Sequence, residues 1–320
     1  MRLFEHPDFD QAILRAEEHF RGRGLRPAVI EKDYYVTEAL RIIAETAGDK
    51  VIFKGGTSLS KGWNLIDRFS EDIDLFLDPL SFAPPLGKKG IDRELKRLRD
   101  AVSGHPALAF EGAESRTIGG FGRSDRFSYA ARFGGPGEVA SRVLLESGTA
   151  SGREPTADMP IRSYVAEFLE ATGQTLGAQD EQPFTMRLLH YRRTFVEKLF
   201  AIHAKVELVK REGRPLGGYA RHYYDLFRLA GEDEVLAMIQ SPEYAAIKAD
   251  YDQISRANFA RDYSHPDGMS FATSDAIFPS GDLADMLAKE YEQQCRMLCY
   301  GPFPTWEEVQ SRFAGLRTHL

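Results

Sequence analysis

Two aspartates separated by a single residue, Asp72 and Asp74 in Ser70-Glu71-Asp72-Ile73-Asp74-Leu75-Phe76-Leu77, form the stretch of this chain best suited to chemistry. In a strand, the side-chain period of two turns both carboxylates to one face and Ile73, Leu75 and Leu77 to the other. Two ionised carboxylates so placed repel each other, and a divalent cation, most often magnesium, relieves that repulsion. Upstream, the apolar Val51-Ile52-Phe53 runs through Lys54 into Gly55-Gly56-Thr57-Ser58. Glycines there let backbone amides come close to a phosphate, with a hydroxyl beside them. Alone, a glycine pair is an ordinary turn and Asp-x-Asp an ordinary solvated strand edge. In this order, and with a helix-length gap between them, they predict metal-assisted chemistry on a nucleoside triphosphate.

Periodicity gives the elements that must position these groups. Phe9, Ile13, Ala16 and Phe20 have helical spacing, and Glu31 to Ala47 reads as a second helix after a break at Arg26-Pro27. Val51-Ile52-Phe53 is a short buried strand, Thr57 to Asn64 a short helix behind it, and Asp72 to Leu77 a second strand. A loop from Pro79 to Gly90 precedes a charged helix at Ile91 to Ser103. Arg126 to Phe133 and Ser141 to Ser147 read as further strands, joined through a Gly134-Gly135-Pro136-Gly137 turn. From Arg192 onward the pattern is helical, with Phe195, Leu199, Ile202, Val206 and Val209 on one stripe. The expected division is residues 1–180 and 181–320.

Arg142, Leu144 and Glu146 share a strand face, so Glu146 can supply a third carboxylate if its strand neighbours that of Asp72. A metal held by three oxygens keeps room for triphosphate and water. The competing reading is an exposed strand-end glutamate. Lys198, at the edge of the apolar stripe, is either a triphosphate clamp or a helix lysine whose stem lies along apolar surface. Arg68 is placed to neutralise phosphate. Ser70 lies two residues before Asp72, where its hydroxyl reads as hydrogen-bonding a turn that enters the strand.

Gly55-Gly56-Thr57-Ser58 followed by Arg68-Phe69-Ser70-Glu71-Asp72-Ile73-Asp74 resembles the DNA polymerase β-like nucleotidyltransferase superfamily. More narrowly, the chain resembles the AbiEii/AbiGii toxin family, which includes the MenT toxins. Three more segments carry that narrower likeness: Glu31-Lys32-Asp33-Tyr34-Tyr35-Val36-Thr37, Arg193-Thr194-Phe195-Val196-Glu197-Lys198-Leu199 and Arg221-His222-Tyr223-Tyr224-Asp225-Leu226. Residues 79–140 and 230–280 carry no recognised motif.

The resemblance implies an α+β polymerase β-like nucleotidyltransferase core, a mixed sheet flanked by helices, with N-terminal helices and a mainly helical C-terminal domain completing the active-site cleft. It implies a nucleotidyltransferase toxin of a toxin–antitoxin or phage-defence system, moving NMP from NTP to RNA with Mg²⁺ or Mn²⁺. The acceptor it implies is the tRNA 3′ end, whose modification would block translation, and the implied protein partner is a cognate antitoxin. It places Asp72, Asp74, Lys198 and Asp225 in catalysis, and Asp72, Asp74 and Glu146 on the metal. The nucleotide would meet Gly55, Gly56, Thr57, Ser58, Arg68 and Lys198, and Ser70 is where some members are switched off by phosphorylation. Without the resemblance, Asp225 reads as a helix-surface acid. Glu31, Lys32 and Asp33 read as helix-start capping, and His222 as a neighbour of Asp225. Two other functions fit the same residues: a nucleotidyltransferase acting on a small molecule or protein side chain, and a nucleotide- or partner-binding module without catalysis. Intact Asp72 and Asp74 argue against the last.

The chain has 320 residues, 42% of them hydrophobic, enough to bury one large core or two ordinary ones. Its net charge of −7 excludes a surface coated in positive potential but not a local basic groove. Lys88-Lys89 to Arg99 and Arg192 to Arg214 are basic stretches that read as RNA contacts or as solvated helix faces. No apolar run approaches the ~20 residues needed to span a bilayer, and Met1 to Pro7 lacks the layout of a signal peptide, so the expected location is the cytoplasm. Cys295 and Cys299, four apart on a helix, read as packed thiols.

Overall fold

The computed structural model describes residues 1–70, 72–134 and 139–320. Glu71 and residues 135–137 of the expected glycine-rich turn lie outside the described residues. The fold is α+β with a mixed sheet. The chain divides into two units, Met1–Asn64 with Phe69–Thr149 and Thr156–Leu189, and Leu65–Arg68 with Ala150–Pro155 and His190–Leu320.

The first unit is built on a sheet of eight strands: β1 (Val51–Lys54), β2 (Asp72–Leu77), β3 (Ala109–Phe110), β4 (Arg116–Ile118), β5 (Gly122–Ser128), β6 (Arg142–Gly148), β7 (Thr156–Ile161) and β8 (Phe184–Leu189). Their order is β3-β5-β6-β2-β1-β8-β7, with β4 also on β5. β2 runs antiparallel to β1 and parallel to β6. Its helices are α1 (Phe9–His19), α2 (Pro27–Ala47), α3 (Gly55–Lys61), α4 (Lys88–Ser103) and α5 (Tyr164–Ala171).

α2 begins four residues before the expected Glu31. Proline is favoured at the first helical position, where its missing N–H would have no partner, so Pro27 opens this helix instead of breaking it. Glu31 and Asp33 therefore lie inside the helix and cap nothing at its start. Glu31 accepts hydrogen bonds from the amides of Arg132 and Phe133 at 2.9 and 3.1 Å. Asp33 accepts from the Tyr164 amide at 2.8 Å and from Lys61 Nζ at 2.5 Å. These acids tie loops to the helix, as scaffold.

The strand expected at Arg126 to Phe133 lies earlier, at Gly122–Ser128. Its buried side carries Arg123 and Asp125, joined by two hydrogen bonds of 2.9 and 2.7 Å. A paired charge can be buried where a single one cannot, so a search for apolar alternation passes over this strand. In β6 the alternation is clear: Val143, Leu145 and Ser147 are buried, while Arg142, Leu144 and Glu146 are partly or fully exposed.

The second unit is helical: α6 (Tyr191–Glu212), α7 (Arg221–Leu229), α8 (Asp233–Ile239), α9 (Pro242–Asn258), α10 (Gly281–Leu298) and α11 (Trp306–Leu316). The expected stripe on α6, Phe195, Leu199, Ile202, Val206 and Val209, is buried throughout. α6, α10 and α11 all pack on α7. The main division falls at Leu189 and His190. Among the described residues, no helix is long and apolar enough to cross a membrane.

Candidate active site

Strand register brings the expected carboxylates of the first unit together. Lys54 lies opposite Asp74, Asp74 beside Glu146, and Glu146 opposite Ser124, so one row crosses four strands. Asp72 lies beside Leu144 on the same face, one row away. The condition on which Glu146 depended, that β6 neighbours β2, is met. Burial first, and the Asp72 charge second, push the Glu146 carboxyl above its ordinary range; Arg116, a Ser124 hydrogen bond and Lys54 oppose the shift. This is the response of a carboxylate held near another with too little solvent to screen them. Among the described residues, no three His, Cys, Asp or Glu side chains already converge as a metal cage.

The glycine pair forms the first turn of α3, directly after β1. Gly55 has φ of 78°, and a methyl group on its Cα would overlap the Asp74 carboxylate. Only glycine accepts both that backbone and that neighbour. Thr57 Oγ1 donates to the Asp72 carbonyl at 2.5 Å, and Ser58 Oγ to the Gly55 carbonyl at 2.9 Å. Both hydroxyl protons thus go to the backbone that shapes the site. Ser70 is half-buried just ahead of β2.

In the second unit, α6 and α7 bring Lys198 and Asp225 together with Arg68. Arg68 Nε and Nη2 bind the two Asp225 oxygens at 2.6 and 2.7 Å, and Lys198 Nζ stands 2.7 Å from Oδ2. Arg68 is 1% exposed and Asp225 0%, so the fork of Arg68 is committed to this carboxylate. Burial alone would raise the Asp225 carboxyl, but the Arg68 and Lys198 charges hold it well below the usual carboxylate range. Burial, aided by Arg68, lowers the Lys198 ammonium against the pull of Asp225. His222 Nδ1 lies 3.1 Å from Lys198 Nζ. An ammonium has no lone pair to offer, so Nδ1 accepts where Lys198 is charged, and the same nitrogen stands 3.7 Å from Asp225 Oδ2. Burial, then the Lys198 charge, push this histidine down to about 3.

Sequence reading gives Asp225 a catalytic role by family likeness alone and carries no sign of its partners. It treated Arg68 and Asp225 as separate candidates because 157 residues part them. It also missed Lys54 and Arg116 beside the carboxylates. Their signal was strand register, which needs the pairing partners to be known.

Residues 39–312 match the family described as nucleotidyl transferase AbiEii toxin, type IV TA system. Among solved structures, MenT4, a nucleotidyltransferase toxin from Mycobacterium tuberculosis H37Rv, is similar with a TM-score of 0.59 and 17% identity; the match covers 96% of this chain and 90% of that one. No curated protein matches.

Proposed function

Because the chain belongs to the AbiEii family of nucleotidyltransferase toxins from type IV toxin–antitoxin systems, we propose that it transfers NMP from an NTP to the 3′ end of tRNA, with Mg²⁺ or Mn²⁺, and so blocks translation. Membership implies a cognate antitoxin. The observation that carries the reading is the carboxylate face: Asp72, Asp74 and Glu146 on adjacent parallel strands, with Glu146 raised by burial and by its neighbour's charge.

Those residues fit a hard divalent cation. Asp72 and Asp74 would hold it, with Glu146 beside them. Magnesium commonly takes one or two protein carboxylates and completes its shell with phosphate and water, so a preformed three-acid cage is not required. When bound, the cation stabilises charge on the phosphoryl and departing pyrophosphate oxygens.

The chain's own residues do the rest. Gly55 keeps the space beside Asp74 clear of side chain. Lys198 offers a cation to phosphate from beside Asp225, the carboxylate that also holds Arg68. Arg68 acts through Asp225, positioning Lys198. In the transfer itself, the acceptor hydroxyl oxygen bonds to the α-phosphorus, the bond to pyrophosphate breaks, and the hydroxyl proton is lost to solvent. Ser70, ahead of β2, is proposed as a control point where a phosphate would compete with substrate.

Incubation with each α-labelled NTP and total tRNA tests this reading. Label on tRNA that requires Asp72 supports it; label only on protein or small molecules contradicts the RNA acceptor.

A further inference from the structure

The carboxylate face continues beyond the acids onto β5, β6 and β4, and there its charge changes sign. Arg116 of β4 lies opposite Ser124 and Ser124 opposite Glu146, so Arg116 extends the same row that contains Asp74. Arg126 lies opposite Leu144, which lies beside Asp72. Arg142 shares its strand face with Leu144 and Glu146 by the period of two. Three arginines therefore stand on the side of the sheet that holds the acids. β4 is three strand steps from β2, roughly 14 Å at about 4.8 Å per step.

These arginines differ from the basic helical runs. On α4, Lys96 pairs with Asp92 and Arg97 with Glu94. On α6, Arg192 pairs with Glu234 and Glu243, and Lys210 with Glu207 and Asp275. Those runs largely neutralise themselves. On the sheet, Arg126 and Arg142 share the one Glu114 carboxylate, itself 52% exposed. Their side chains are 32% and 44% exposed, and Arg116 is exposed. An ion pair this open is weak and can exchange for phosphate. Guanidinium also binds phosphate through two parallel hydrogen bonds, which orients a strand as well as attracting it.

We propose that Arg116, Arg126 and Arg142 form the track that holds the phosphate backbone of the acceptor RNA against this sheet face. The inference rests on the functional reading above and assigns the acceptor side of that site. A chain that is acidic overall needs such a local patch to hold a polyanion at all, and this one ends at the carboxylates. The track reads backbone and no base, so it aids binding across RNA sequences.

The test is binding of deacylated bulk tRNA by fluorescence anisotropy between 50 and 200 mM KCl. It compares wild type, Arg126→Gln/Arg142→Gln, and Arg126→Lys/Arg142→Lys. Each lost phosphate contact lowers the slope of log Kd against log salt by about one. The glutamine pair should lower it by about two and raise Kd about tenfold or more at 100 mM, with an unchanged melting temperature. The lysine pair should keep most of the slope. In transfer assays the glutamine pair should raise KM for tRNA and leave KM for NTP alone. If wild type labels tRNA but the glutamine pair keeps its slope and its KM for tRNA, this inference falls and the functional reading stands. If wild type neither binds nor labels tRNA, both fall.

Discussion

Asp74 and Gly55 fill one space: the carboxylate of the strand lies where any side chain on the first helical residue would project. With φ of 78° at the same residue, Gly55→Ala meets both a strained backbone and a clash. The substitution should cost roughly 1–2 kcal/mol of stability and displace Asp74. Transfer should fall far more than the melting temperature indicates. A Gly55→Ala protein with wild-type kcat would show that Asp74 need not sit there.

Lys198 and Asp225 should behave differently although they touch. Lys198→Met leaves Arg68 and Asp225 as a complete bidentate pair, so the fold should persist while transfer drops about 100-fold. Asp225→Asn removes the carboxylate that both buried cations bind, and removing one partner of such a group costs about 3–5 kcal/mol. Denaturant titration of the two variants separates them. Equal destabilisation would mean that Lys198 is a structural lysine.

His222 gives a pH signature. Its folded pKa, about 3, lies below the ordinary 6.5, so the unfolded chain binds the proton first as pH falls. Its contribution to stability is complete above pH 6.5 and is lost as pH drops toward 3, at up to about 1.4 kcal/mol per pH unit. Other groups titrate in that range, so the expected result is a difference: His222→Gln should lose less stability than wild type between pH 7 and 5. Parallel curves for the two proteins would contradict a buried neutral imidazole.

Much of this arrangement was legible in the sequence because it is local. Asp72 and Asp74 share a face by strand period alone, and the α6 stripe by helical period. Glu146 required one more fact, that β6 lies beside β2, which no local pattern carries. Arg123 and Asp125 hid β5 by being charged and buried as a pair. The Arg68 fork on Asp225 was out of reach because nothing in either segment specifies a contact across so many residues. Pro27 looks like a break by residue type, but its place at the first helical position makes it a start.

Ser70 precedes β2 on the approach to the carboxylates. A fixed negative charge there would add to their repulsion and compete with triphosphate. Ser70→Asp should lower transfer at least about tenfold, whereas Ser70→Ala should retain most of it. Both rates come from the same labelling assay. Full activity in Ser70→Asp would remove this position as a control point.

Metal-dependent nucleotidyl transfer by Asp72 and Asp74 is tested by transfer from α-labelled NTP to tRNA by wild type, Asp72→Asn and Asp74→Asn across a magnesium titration. Each substitution removes a charge at nearly constant shape. Wild type should transfer only with the metal, and each variant should lose about 100-fold or more with its melting temperature retained. Wild-type rates in both variants at saturating magnesium, or undiminished transfer after chelation, would contradict the account.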